Sequence, residues 1–335
     1  MLDTGPQEFR ALGLEGAPCP PVPAPLAGPG AAALRVGLLN NMPDAALIQT
    51  ERQFRRLIGD GVALSLFSLD GVPRGPLARA HLDRHYASHR TLPEAGLDAL
   101  VITGSEPRAA RLDDEPYYPA FAGVVDWAAR HTVSTLFSCL AAHAAVLHLD
   151  GILRRPLPAK HSGVYPCARI APHPLLTGLA AIVPVPHSRW NELAEADLAA
   201  CGYTVLRRSE AVGVDLFVRE AGSLLVFLQG HPEYDGDSLA REYRRDVGRF
   251  LDGARETCPP LPEHSFGPAS ARRLEAFADA ARAHRDPGLY AAFPSLDEAP
   301  PLPPAWQDAA AGLFRNWLAL VAARRAAALP IRDRA

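Results

Sequence analysis

Three residues in this chain have the types and settings that acyl transfer requires. Cys139 closes the apolar run Thr135-Leu136-Phe137 and opens the helix-like stretch 140–149. Far along the chain a second apolar run, 224–228, leads into Gly230-His231-Pro232-Glu233-Tyr234-Asp235. A cysteine at a strand-to-helix corner is turned outward, and the positive end of the following helix favours its thiolate. His231 lies between Gly230 and Pro232, where the chain reads as rigid and extended. Glu233, two residues on, then points to the same side and holds the imidazole in one tautomer. Thiol, imidazole and carboxylate in that relation make a nucleophile, its base and the group that orients the base. Taken singly, Cys139 fits an inert core cysteine equally well, and His231 and Glu233 fit a surface loop. The set is what points to catalysis.

The other candidates sort by context. The backbone N–H groups of Gly104 and Ser105, after the apolar run 99–102, and that of Leu140 could form an oxyanion hole beside the thiol. Cys167, Cys201 and Cys258 lack a strand-end helix start and read as structural. His143 and His148 are five apart, not the four that places two ligands on one helix face, so no metal site is expected. No glycine segment matches a phosphate-binding fingerprint.

Elements that could bring Cys139 and His231 together are legible. Strands are expected at 34–39, 62–69, 99–102 and 135–137, with helices over 44–58, near 116–131, and from 140. Strands alternating with helices imply an α/β, doubly wound parallel sheet, which gathers its site at the carboxyl ends of its strands. Residues 70–98 read as a polar, His-rich connection. Residues 151–222 read as irregular, with Lys160–Tyr165 and Val185–Arg189 as loops walling the site, and 203–206 and 216–218 as strands of a meander. A helix is expected over 238–252, an amphipathic segment over 269–285, and a last helix over 306–325. The apolar stripe of that last helix (Leu313, Phe314, Trp317, Leu318, Val321) packs on the main domain. The domain reading is thus a flexible Pro/Gly-rich arm (1–32), one catalytic domain (33–252) and a Pro-rich extension with helices (253–335).

Composition narrows the class. The chain has 335 residues, 48% of them hydrophobic, enough for a sizeable core. With 34 basic and 37 acidic side chains it carries a net charge of −3, so no nucleic-acid surface is indicated, and no apolar run is long enough for a membrane span. Five cysteines without CxxC spacing, and no apolar signal core in the first twenty residues, point to a reducing, cytoplasmic setting. Small-molecule partners are expected.

Cys139, Lys160-His161-Ser162-Gly163-Val164-Tyr165, Pro186-His187-Ser188-Arg189 and Gly230 to Asp235 together resemble the homoserine O-succinyltransferase family, over about 34–250 and again at Asn316-Trp317-Leu318. The resemblance implies a class I glutamine amidotransferase-like (flavodoxin-like) fold. It also implies transfer of an acyl group from acyl-CoA, a co-substrate, with no bound cofactor. The group passes through a thioester on Cys139 to the hydroxyl of homoserine, an early step of methionine synthesis. It makes His231 the general base, Glu233 its orienting partner, and Lys160, Ser188 and Arg245 substrate contacts, with Arg245 offering its guanidinium fork to the amino acid's carboxylate. A homodimer is compatible with it.

Three departures bear on the acyl donor. Asp44-Ala45 stand where the family has lysines. Arg108 stands where the family has glycine with succinyl donors and glutamate with acetyl donors. An arginine there leans toward a succinyl carboxylate, although it would also fill the pocket. Leu140-Ala141-Ala142-His143 replace the family's tryptophan- and glutamine-bearing run. Open alternatives are transfer to another amino alcohol such as serine, a glutamine amidotransferase or glutaminase, and a non-catalytic relative.

Overall fold

The computed structural model describes residues 33–328; the proposed arm, with Cys19, lies outside them. Ten strands form one sheet: β1 (Leu34–Leu39), β2 (Val62–Ser68), β3 (Ala87–Ser88), β4 (Ala99–Thr103), β5 (Ser134–Ser138), β6 (Arg155–Arg169), β7 (Ile182–Glu192), β8 (Thr204–Ser209), β9 (Gly213–Ala221) and β10 (Ser223–Leu228). Their spatial order is β3-β2-β1-β4-β5-β10-β9-β8-β6-β7. From β3 to β10 every pairing is parallel, and from β10 to β7 every pairing is antiparallel. The helices are α1 (Asp44–Ile58), α2 (Pro76–His85), α3 (Tyr118–His131), α4 (Leu140–Asp150), α5 (Glu195–Ala200), α6 (Ser238–Leu251), α7 (Pro268–Ala283) and α8 (Gln307–Ala328).

The central strands are apolar on both faces because both faces are covered. On one face Val36, Leu38, Val101, Leu136, Leu224 and Val226 meet Phe54 and Ile58 of α1 and Phe314, Trp317 and Val321 of α8. On the other, Leu39, Ile102, Phe137 and Phe227 meet Phe121, Val125 and Ala128 of α3 and Ala141, Ala145 and Val146 of α4. Phe137, Phe227 and Phe217 stack across β5, β10 and β9 at 4.9 and 4.7 Å between centroids. Each such side chain contributes about 1.5–3 kcal/mol by leaving water. α8 is pinned as well as packed. Trp317 Nε1 donates to Ser134 Oγ at 2.9 Å, and Ser134 Oγ donates to the Leu224 carbonyl at 2.7 Å, so one chain of hydrogen bonds ties α8 to β5 and β10.

Two sequence expectations are corrected. Lys160–Tyr165 and Val185–Arg189 are not loops: they lie within β6 and β7, long paired strands. Pro156, Pro158 and Pro166 on β6 and Pro184 and Pro186 on β7 disguise them. β7 is the edge strand, where a missing N–H costs no ladder bond, and β6 pairs with β8 only at Ala168 and Arg169. The polar connection after β2 contains α2, which buries only Ala78 and Leu82 and so shows little apolar periodicity. The amphipathic segment near 269–285 is α7, whose Leu274 and Ala281 pack against Tyr243, Val247 and Phe250 of α6.

Candidate active site

Cys139 stands between β5 and α4 with φ 51° and ψ −113°. Among the described residues only it and His264 have positive φ without being glycine. Such a backbone costs of order 1–3 kcal/mol and persists because its surroundings hold it. The Cys139 N–H donates to the Leu228 carbonyl at 2.7 Å, and its own carbonyl accepts from Ala142 N–H at 2.9 Å. The elbow is therefore clamped by β10 behind and by the first turn of α4 ahead. Small neighbours make it possible. A Cβ placed on Gly104 would fall 2.6 Å from Leu140 Cβ and 3.0 Å from Leu140 N, so only glycine lets the end of β4 approach the start of α4 this closely.

The parallel pairing of β10 with β5 carries the segment after Leu228 to the same end of the sheet as the thiol. Here the sequence expectation of an extended chain gives way to a turn, closed by Tyr234 N–H donating to the His231 carbonyl at 3.2 Å. Pro232 suits the second position of that turn. The turn brings Glu233 Oε1 to 2.7 Å from His231 Nδ1, while Tyr234 stacks on the imidazole at 4.2 Å between centroids. From α1, Arg56 donates to the Glu233 carbonyl at 3.0 Å and pairs with Asp235. His231 hydrogen-bonds the Cys139 thiol as well. Burial by itself pulls this imidazole down, but the charges of Cys139 and Glu233 outweigh it and raise it well above the usual histidine range.

Across from the thiol, β6, β7 and α6 build a cage of charges. Lys160 Nζ donates to Asp246 Oδ2 at 3.0 Å and lies 3.6 Å from Glu242 Oε2. Tyr234 Oη donates to Glu242 Oε1 at 2.6 Å, and the Ser188 hydroxyl donates to the other oxygen of Glu242. Arg245 reaches Asp246 Oδ1 through Nε at 3.1 Å and Nη2 at 3.0 Å, yet keeps 38% of its side chain exposed. Burial raises the carboxyls of Glu242 and Asp246, but the charge of Lys160, then that of Arg245, outweighs it and leaves both below the ordinary range. Both are carboxylates.

A cavity of about 170 Å³ gathers Gly104, Ser105, Cys139, Leu140, Lys160, Ser188, His231 and Arg245 on one lining. Glu233 stands behind His231 and does not line it. Arg108 lies elsewhere, on an adjoining cavity of about 440 Å³ shared with Arg74, Asp44 and Ala45. The two cavities have Pro43, Glu106, Arg245 and Arg249 in common. Sequence reasoning missed Glu242, Asp246 and Tyr234. The i, i+4 spacing of Glu242 and Asp246 on α6 was the available signal, but their partner Lys160 is 86 residues away. Of the remaining cysteines and histidines, Cys167 is fully buried, His143 is buried with a hydrogen bond to Gln229, and His148 lies 2.9 Å from Asp126.

The family model for homoserine O-succinyltransferase matches residues 29–327. A protein of that name from Methylorubrum extorquens is 70% identical over 295 residues, covering 88% of this chain and 89% of its own. Another of that name, from Rhodopseudomonas palustris, is 48% identical over 290 residues, covering 85% and 87%. The crystal structure of a glutamine amidotransferase from Thermotoga maritima superposes with a TM-score of 0.50 at 13% identity, over 87% of this chain and 99% of that one. That likeness is one of fold: a class I glutamine amidotransferase-like sheet.

Proposed function

The chain belongs to the homoserine O-succinyltransferase family, and we propose on that premise that it moves a succinyl group from succinyl-CoA, through a thioester on Cys139, to the hydroxyl of homoserine for methionine synthesis. The observation that carries this is the run Cys139, His231, Glu233 opening onto a cavity whose far wall bears both signs of charge.

The reaction runs in two halves. The Cys139 thiolate attacks the thioester carbonyl, and the departing CoA thiolate takes the proton held on His231. Homoserine then enters, and His231 takes its hydroxyl proton as that oxygen attacks the Cys139 thioester. The second tetrahedral intermediate collapses to product and regenerates the thiolate. Glu233 keeps the ring oriented and offsets its positive charge. The N–H groups of Gly104, Ser105 and Leu140 receive the oxyanion in both halves.

The cage suits a zwitterion. Arg245, half-open to the cavity, takes the carboxylate. Glu242, held as an anion by Lys160 and Ser188, takes the ammonium, and Ser188 and Lys160 fix Glu242 in place. The donor enters through the larger cavity, whose four arginines (Arg74, Arg108, Arg245, Arg249) outnumber Asp44 and Glu106. Asp44 in place of a lysine does not leave this cavity acidic. Its carboxylate accepts from Gly75 N–H at 2.7 Å and pairs with Arg74, which brings positive charge from the loop before α2. Arg108 meets the distal carboxylate of the succinyl group. Cysteines 139, 167, 201 and 258 are free thiols, which supports a cytoplasmic setting.

The test is a matrix of acetyl-, succinyl- and related CoA thioesters against homoserine, serine and glutamine, read by free-thiol release, by ammonia and by the mass of the intact protein. A succinyl adduct on Cys139, discharged by homoserine and absent in Cys139→Ala, is expected. Turnover without an adduct, or ammonia from glutamine alone, overturns the reading.

A further inference from the structure

Behind His231, β6, β7, β8 and β9 bring together a second set of reactive side chains that line neither cavity. Cys167 Sγ lies 3.8 Å from His187 Nε2, and His187 Nε2 lies 3.3 Å from Asp215 Oδ1. Arg207 Nε donates to Asp215 Oδ2 at 2.5 Å, and Arg189 Nε donates to His187 Nδ1 at 3.4 Å. Cys167, His187 and Asp215 are fully withdrawn from solvent. A thiol, an imidazole and a carboxylate whose donor atoms all lie within 4.8 Å form a set that zinc accepts. The two arginines assign it otherwise. Arg207 already occupies one oxygen of Asp215, and the Arg189 N–H aimed at Nδ1 makes that nitrogen the acceptor. The ring proton is therefore on Nε2, the atom a metal would need bare, 3.3 Å from Asp215 Oδ1.

What the set does touch is the segment carrying the general base. A Cβ on Gly230 would fall 2.6 Å from Asp215 Oδ1, 2.6 Å from Val185 Cγ1 and 3.0 Å from His187 Nε2, so the backbone at Gly230 rests directly on the His187–Asp215 pair. On either side of that point the chain is tied to the strands that bear the pair. Gln229 N–H donates to the Asp215 carbonyl at 2.8 Å, and His231 N–H donates to the Pro186 carbonyl at 2.7 Å. We propose that His187 and Asp215 are positioning residues for His231: their close-packed pair, braced by Arg189 and Arg207, is the floor that fixes the Gly230 backbone and so the imidazole of His231 against the Cys139 thiol. This rests on the reading of His231 as the base.

The groups facing His187 are Cys167 and Tyr165 from β6, Arg189 from β7, Arg207 from β8, Asp215 from β9 and, beyond Gly230, His231. Burial pulls the His187 imidazole down to about 4 in spite of Asp215. It stays neutral while His231 gains its proton, and no second cation forms next to the base.

Alkylation of Cys139 by iodoacetamide across a pH series tests the proposal without any substrate. It therefore stands apart from the identity of the acyl donor, which the adduct experiment above decides. His187→Leu removes the ring's bond from Arg189 and its polar contact with Asp215, and His187→Gln keeps a polar hydrogen facing Asp215 and an acceptor for Arg189. We expect the Leu variant to alkylate on the order of 10–100-fold more slowly near neutral pH, with its pH midpoint displaced and the KM for homoserine little changed. The Gln variant should recover most of the rate. Gly230→Ala, which presses on the same pair from the other side, should reproduce the displaced midpoint if the Leu variant does not fold. Wild-type rate and midpoint in a folded Leu or Ala variant overturn the proposal. So does a Gln variant as slow as Leu, or loss of fold in both Leu and Ala, which would assign the pair to stability alone.

Discussion

Lys160 Nζ lies 3.0 Å from Asp246 Oδ2, with 6% and 2% of the two side chains exposed, and the pair joins β6 to α6 across the rim of the cavity. A buried ion pair is a weak net stabiliser, but removing one partner strands the other's charge. Asp246 also holds Arg245 and lies 3.5 Å from Arg255, so the loss is asymmetric. Asp246→Asn should cost about 3–5 kcal/mol in denaturant unfolding, and Lys160→Met, which leaves Asp246 two guanidinium partners, distinctly less. Equal losses would contradict this account of the cage.

The same pairings set the acid limb of stability. Glu242 and Asp246 are both held below their ordinary values of 4.5 and 3.8. Their contribution is present above those values and is lost as pH falls through the lower, folded ones. Thermal unfolding across acid pH should show this loss, with a shallower slope in Asp246→Asn. An unchanged slope would remove Asp246 from the account.

His231 has the opposite sign. Its folded value is raised, so its contribution is complete below the ordinary 6.5 and fades as pH rises through the folded value. Cys139→Ala deletes one of the two charges that raise it. The imidazole of that variant, followed by NMR, should titrate at lower pH than in the wild type, and lower still with Glu233→Gln added. A titration indifferent to Cys139 would break the proposed pairing.

Glu233→Gln keeps the shape of the turn but takes away the carboxylate that accepts from Nδ1. Steady-state kinetics should show kcat down by about 100-fold or more, with a smaller change in KM for homoserine. Near-normal turnover would leave Glu233 without its orienting role.

Arg108 lines the outer cavity, which adjoins the one that holds the thiol. If it meets the distal carboxylate of the acyl group, Arg108→Ala should lower kcat/KM for succinyl-CoA about tenfold, and leave acetyl-CoA nearly unaffected. A parallel fall with both donors would mean a general part in holding CoA.

How far the sequence reaches is visible in particular residues. Cys139 and His231 are legible because each ends an apolar run, and the parallel sheet obliges such ends to meet. Glu233 is legible as a partner of His231, although the turn that delivers it is not. β6 and β7 were hidden by prolines that the sheet's edge tolerates, so Lys160 and Ser188 were placed on loops when they are held on paired strands. α2 was hidden because it buries only Ala78 and Leu82 and leaves Leu77 exposed, which breaks the apolar periodicity, and Arg74 before it reaches the outer cavity with no local motif to announce it. Gly230 shows the limit of a local reading. Its neighbour Pro232 suggested a stiff segment, yet what excludes a side chain there is Asp215 and His187, supplied by strands earlier in the chain.

Trp317 closes on Ser134 across 183 residues of chain. At the 5–20 residues per second of synthesis, roughly ten to forty seconds separate the emergence of β5, which ends at Cys139, from that of α8, which roofs one face of the sheet. During that interval Val36, Leu38 and Leu136 have no α8 to cover them. A nascent chain stalled before Gln307 is expected to be protease-sensitive and bound by chaperones, and one stalled after Ala328 has emerged to be resistant. Equal resistance in the two would show that the sheet closes without its roof. On this account the fold is completed only as its last described helix leaves the ribosome, and an interrupted message is expected to yield a chaperone client, not a slower catalyst.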